Sequence, residues 1–227
     1  MDKLSQFLLL APALLFAMVA HEYAHGYVAL RQGDPTAYQL GRLTWNPLKH
    51  IDPFMTVLLP ILTFWGGGFI FGGAKPVPVT PRNYRNYRRG DILVSLAGVA
   101  TNLVIALISA VLVVVVGMLG RAVPSLVDGL SVLQMMLDAS VLINLILVVF
   151  NLLPIPPLDG SHVVKHLLPP GLSLKYQQVG AYGFLILLLL LTVGRPVLAA
   201  WMSPVNVIAG TAGRLYAPYV LPSPFQQ

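Results

Sequence analysis

The sequence predicts an all-α protein that crosses a membrane several times, and two observations carry that fold class. Of 227 residues, 56% are hydrophobic and only 10% charged, whereas a soluble domain carries about 25% charged residues. The apolar residues also gather into runs of about 20 or more, the length a helix needs to cross a bilayer core at 1.5 Å rise per residue. The chain shows no internal repeats, low-complexity tracts or long linkers. One membrane-embedded domain over residues 1–227 is therefore expected, with a core at 1–165 and C-terminal helices at 166–227. Five to six transmembrane helices are expected, together with a re-entrant or hairpin segment at 51–79.

Taken in order, the apolar runs fall at about residues 6–30, 51–72, 91–119, 131–153 and 179–202, with a weaker one at 204–213. Lys3 before the first run and the small Ala20 give it a superficial likeness to a secretory signal. Cleavage there would leave the polar motif that follows at a frayed N-terminus, so the run reads as a retained span. The 51–72 run differs from the rest, because Pro60 lies at its centre and Gly66, Gly67, Gly68, Gly72 and Gly73 crowd its end. If it returned to the side it entered, the 131–153 span would end on the same side as the first span. Ten of the fourteen Lys and Arg residues would then share one side, which marks that side as cytoplasmic.

The net charge of +6 comes without a soluble basic face. Arg82, Arg85, Arg88 and Arg89 adjoin a span together with Tyr84 and Tyr87. They read as an interfacial belt set by topology and by anionic headgroups, with the lipid bilayer rather than nucleic acid as partner.

Chemistry concentrates at His21-Glu22-Tyr23-Ala24-His25, inside the first run. Glu22 is the only glutamate in the chain. Residues four apart share one helix face, so the two imidazoles can bind one zinc while Glu22 stands beside them as general base. Ionisable groups at bilayer depth are costly and usually functional. The chain has no cysteine, so thiolate ligands are excluded and the metal must be held by His and carboxylate. A hydrolytic zinc takes three protein ligands. Among polar groups near the spans, Asp159, His162, His166 and His50 are the candidates for the third. Asp159 follows a break made by Pro154, Pro156 and Pro157, whereas His162 and His166 have the i, i+4 spacing of a second clasp or of an interfacial pair.

Three segments carry a family resemblance: His21-Glu22-x-x-His25, then Ala97-Gly98-Val99-Ala100-Thr101-Asn102, then Asn151 through Gly160. In that order they resemble the hallmark segments of the site-2 protease family of intramembrane zinc metalloproteases. Arg42 through Pro53 and Gly72 through Val79 resemble stretches shared by its small prokaryotic members. One departure is Val99, where many members have proline. The resemblance implies that His21, His25 and Asp159 bind one zinc ion per chain and that Glu22 activates water.

Asn151 and Asn102 are candidates to bind the substrate carbonyl or the developing oxyanion, against the alternative of bonding a neighbouring helix. The proline-set Lys75–Val79 stretch is extended and suits pairing with an unwound substrate strand. The sequence thus points to a zinc-dependent endopeptidase that cuts a membrane-spanning protein within the bilayer, as in regulated intramembrane proteolysis. Its expected location is a prokaryotic inner membrane, with the active site toward the cytoplasm. The competing class is a membrane metal or ion transporter using intramembrane His and Asp, which calls for ionisable groups spread along the spans. Asp138 is the main outlier of that kind.

Overall fold

A computed structural model describes residues 2–67, 71–223 and 225. Helix α1 (Lys3–Gln32) starts at Asp2, whose carboxylate accepts the Ser5 amide at 2.7 Å, and stops at the left-handed Gly33. A short α2 (Thr36–Gln39) follows, then a π-turn over Pro53–Leu58 that leads into α3 (Leu59–Gly67). The longest helix is α4 (Tyr87–Ala122). It turns tightly into α5 (Val127–Asn151). Beyond a proline-rich loop lie α6 (Asp159–Leu167), α7 (Pro170–Gln178), α8 (Gly183–Thr192) and α9 (Arg195–Tyr216). Among the described residues there is no strand, in keeping with the all-α expectation.

Among the described residues, four helical stretches are long and apolar enough to cross a membrane: Lys3–Gln32, Tyr87–Ala122, Pro124–Asn151 and Pro170–Thr192. The expected 179–202 run is divided, since one helix ends at Thr192 and the next begins at Arg195. Pro196 sits in the first turn of α9, where a missing N–H is tolerated but a continuing helix is not.

The 51–79 segment is a hairpin. Gly68 through Ile70 lie outside the described residues, but both arms are described and bonded to each other. Gly73 N–H donates to the Met55 carbonyl at 2.9 Å, Lys75 N–H to the His50 carbonyl at 2.8 Å, and Thr56 Oγ1 to the Gly73 carbonyl at 2.7 Å. Residues 50 and 75 therefore meet at the base, and the segment leaves on the side where it enters.

Helices α4 and α5 run antiparallel, with Asn102 beside Asn144 and Ser109 beside Ser140. Helix α9 packs on both through Val205, which shares a core cluster with Ala106, Val141 and Leu145. Two further bonds fix it to α5, from Trp201 to the Val149 carbonyl and from the Tyr216 hydroxyl to Asp138. Asp138 is thereby satisfied within the helix bundle. The outer face of α4 is apolar and bare, with Leu107 61% and Val111 63% exposed, as expected of a lipid-facing surface. Tyr84 departs from the belt reading: it is buried against Ala29 and Val94, because the chain after the hairpin folds back under α1.

Candidate metal centre

One turn of α1 carries His21 and His25 on the face turned to α4, and their rings lie edge-on with centroids 4.5 Å apart. Room for His21 comes from Gly98, where a Cβ would fall 2.5 Å from the imidazole. Each ring is oriented by a group on α4. His25 Nδ1 lies 2.7 Å from the Val94 carbonyl. A carbonyl only accepts, so Nδ1 carries the hydrogen and Nε2 is left as a lone pair. His21 Nδ1 lies 2.6 Å from Asn102 Oδ1. The Asn102 amide nitrogen in turn donates to Asn144 Oδ1 at 2.8 Å and to the Ala17 carbonyl at 3.3 Å, which fixes its oxygen toward the ring. Asn144 is anchored through Ser140, and both asparagines are wholly buried.

The two free Nε2 atoms lie 2.9 Å apart. Asp159 Oδ2 completes the group at 3.1 Å from His21 Nε2 and 3.5 Å from His25 Nε2. That oxygen is buried and has no hydrogen-bond partner. Three lone pairs at this spacing repel one another unless a cation lies among them. Two imidazoles and a carboxylate are also a donor set that suits zinc. Among the described residues this is the one His/carboxylate cluster whose ligand atoms converge in this way.

Glu22, half-buried on the next position of the same turn, accepts the Val77 N–H at 2.7 Å. Val77 belongs to the extended return arm, 71–80, which is clamped along its length. Arg42 donates to the Lys75 and Pro76 carbonyls. Further on, Thr80 N–H donates to Asp34 at 2.6 Å. Gly26 permits the close approach, since a Cβ there would stand 2.9 Å from Val77. Asp34 is fully buried. That burial disfavours its charge, yet bonds from the Thr36 hydroxyl, the Thr80 and Thr36 amides and Asn83 prevail and lower its pKa.

The other candidates are placed elsewhere. His50 is buried at the hairpin base, where its Nε2 donates to the Thr44 carbonyl. His162 and His166 face Asp91 rather than the centre. The Asn151 amide folds back onto the Leu147 carbonyl of its own helix at 3.0 Å. Sequence reasoning passed over Val94, Asn144 and Asp91. A backbone carbonyl leaves no sequence signal, but an amide buried mid-span, as at 144, is a signal of interhelical bonding.

A membrane-embedded helix bundle with a His/His/Asp cluster and an adjacent glutamate defines a class of metal-dependent hydrolases. Peptidase family M50 matches residues 9–137 and 129–191. This chain belongs to that family, the site-2 proteases. It is 40% identical over 177 residues, 78% of the chain and 77% of the relative, to "Putative zinc metalloprotease YwhC" of Bacillus subtilis (strain 168). Similarity to "Putative zinc metalloprotease Rip2" of Mycolicibacterium smegmatis is 32% identity over 195 residues, 86% of this chain and 70% of the relative. No solved structure matches the chain. The protein is a zinc metalloprotease with several membrane helices.

Proposed function

We propose that the protein is an intramembrane endopeptidase that hydrolyses a peptide bond within a membrane-spanning segment of a protein substrate, in the manner of regulated intramembrane proteolysis. The observation that carries this reading is the convergence of His21 Nε2, His25 Nε2 and Asp159 Oδ2 on one point inside the helix bundle, with Glu22 on the same turn. These three residues would hold one zinc per chain. When bound, the ion supplies Lewis-acid chemistry, polarising a carbonyl and acidifying water.

The remaining work falls to the chain's own groups. Glu22 takes a proton from water and passes it to the leaving amine. Asn102 holds the His21 tautomer and the Val94 carbonyl that of His25, and both are positioned from a single helix. Asn102 is committed to that role, so it serves the substrate only through His21. A substrate helix buries its own carbonyls in hydrogen bonds and must unwind before attack.

The return arm at 71–80 is suited to receive the unwound strand. Pro76 and Pro78 remove the donors from one edge, and on the other the Lys75 and Val77 amides donate to His50 and Glu22, so an incoming strand would exchange with those bonds. An apolar cavity of about 370 Å³ lined by Leu10, Leu14, Phe64, Phe71, Ile146 and Phe150 supports an apolar substrate. The bacterial relatives support a prokaryotic inner membrane, and the concentration of Lys and Arg in the loops at the site end supports a site toward the cytoplasm.

The test is reconstitution in liposomes with labelled single-span peptides, comparing wild type with Glu22→Gln, each with and without a zinc chelator. Wild type should cut. Glu22→Gln should retain zinc and lose at least about 100-fold in rate. Cleavage by Glu22→Gln within tenfold of wild type would overturn the assignment.

A further inference from the structure

Asp91 has no part in the chemistry above, yet it is among the most buried charges in the molecule, at 2% exposed. Its carboxylate meets three cationic or potentially cationic groups. Lys165 Nζ and His166 Nε2 each lie 2.7 Å from Oδ2, and His162 Nδ1 lies 3.3 Å from Oδ1. All three are on α6, the nine-residue helix whose first residue is Asp159.

A helix this short is marginal by itself. Helix α6 hangs between the proline-rich loop 152–158 and Pro169-Pro170, neither of which continues a helix. Its orientation must therefore come from what it packs against. Asp159, His162 and His166 stand at i, i+3 and i+7, one face of α6, and that face is turned to α4. On α4, residues Asp91, Val94, Gly98 and Asn102 stand at i, i+3, i+7 and i+11, again one face. Val94 orients His25, Gly98 makes room for His21, and Asn102 orients His21.

We propose that Asp91 is the positioning residue for the third ligand: by clasping Lys165 and His166 it fixes α6 against α4 and so sets Asp159 against the two histidines. One face of α4 then supports all three ligands. A second metal site at the Asp91 cluster is disfavoured, because the Lys165 ammonium already occupies the position a cation would take, 3.2 Å from His162 Nδ1. Tyr87 closes the cluster from outside, stacking edge-on to His166 with the Lys165 ammonium over its ring.

The inference rests on the zinc reading of His21, His25 and Asp159, and its test reads metal rather than proteolysis. Full-length wild type, Asp91→Asn, Lys165→Met, Asp159→Ala and the Asp91→Asn/Asp159→Ala double variant are purified in detergent. Zinc affinity is measured by competition with a chromophoric chelator. Groups that orient ligands typically contribute about 10- to 100-fold in metal affinity, and a loss of that size is expected for Asp91→Asn, with a smaller loss for Lys165→Met. In the Asp159→Ala background, Asp91→Asn should add less than about twofold, because a residue acting through Asp159 has nothing left to position. Asp91→Glu should recover part of the affinity. Failure of wild type to bind zinc would remove the reading of the site itself. Zinc-binding wild type with unchanged affinity in both Asp91→Asn and Lys165→Met, or full additivity in the double variant, would overturn the role of Asp91. If Asp91→Asn does not fold, Lys165→Met and Asp91→Glu decide the matter by the same measurement.

Discussion

Asp34 is a fully buried carboxylate and Asp159 a half-buried one with a buried Oδ2, and their surroundings give them opposite characters. Asp34 accepts from Thr36, Thr80 and Asn83 and is fully satisfied. Asp159 presents an oxygen with no donor to it, the state of a ligand rather than of a cap. Asp159→Ala is therefore expected to lose most of its zinc, because two imidazoles hold the ion poorly, and Asp159→Asn should lose nearly as much because the amide lacks the balancing charge. Metal analysis of the purified variants checks both. For Asp34 the lowered folded pKa means that the carboxylate stabilises the protein above its ordinary pKa, about 3.9. That contribution is lost as pH falls from there through the folded value. Thermal melts of wild type should decline on acidification below about pH 4, and Asp34→Asn should start lower at neutral pH and decline less. The Glu22 and His21/His25 pattern was legible at this scale because helix spacing alone puts i and i+4 on one face. The partners that orient the rings were not, since they lie 69 and 81 residues away in sequence.

The 51–79 hairpin decides the geometry at the scale of elements. Prolines and glycines in an apolar run indicated a break, and the paired arms, 50 with 75 and 55 with 73, give its form. The return arm places Val77 against Glu22 and thereby couples hairpin to site. With no native cysteine, Leu40→Cys and Arg85→Cys should both label from the same side of sealed vesicles with an impermeant thiol reagent. Labelling from opposite sides would mean a full crossing. The Ala97–Asn102 segment of α4 has an equally direct reading. Gly98 exists so that His21 can approach the helix. Gly98→Ala is expected to displace the ring and lower zinc affinity by about 10-fold or more, with melting of the chelator-treated protein changed little; equal affinity would show that the ring has room to move. The division between Thr192 and Arg195 falls inside an apolar run that hydropathy reads as one span, and its local mark is Pro196 in the first turn of α9.

Across the whole molecule, a polar spine runs through an apolar bundle, from Ser109 and Ser140 through Asn144 and Asn102 to His21, and beside it from Asp91 through α6 to Asp159. The C-terminal turn is tied to the opposite end, where Gln134 bonds the Val113 and Tyr219 carbonyls and the Leu221 amide. By itself the sequence determined the fold class, most of the apolar helical stretches, the pairing of His21 and His25 on one turn and the family, because hydropathy, helix period and motif spacing are local properties written along the chain. Only the tertiary structure decided which nitrogen of each histidine is free, that Asn102 serves His21 while Asn151 turns back on its own helix, and that His162 and His166 belong to Asp91 rather than to the metal centre. Those outcomes depend on how α1, α4 and α6 pack. Several polar groups compete for the same few buried partners there, and three-dimensional approach, not position in sequence, selects among them.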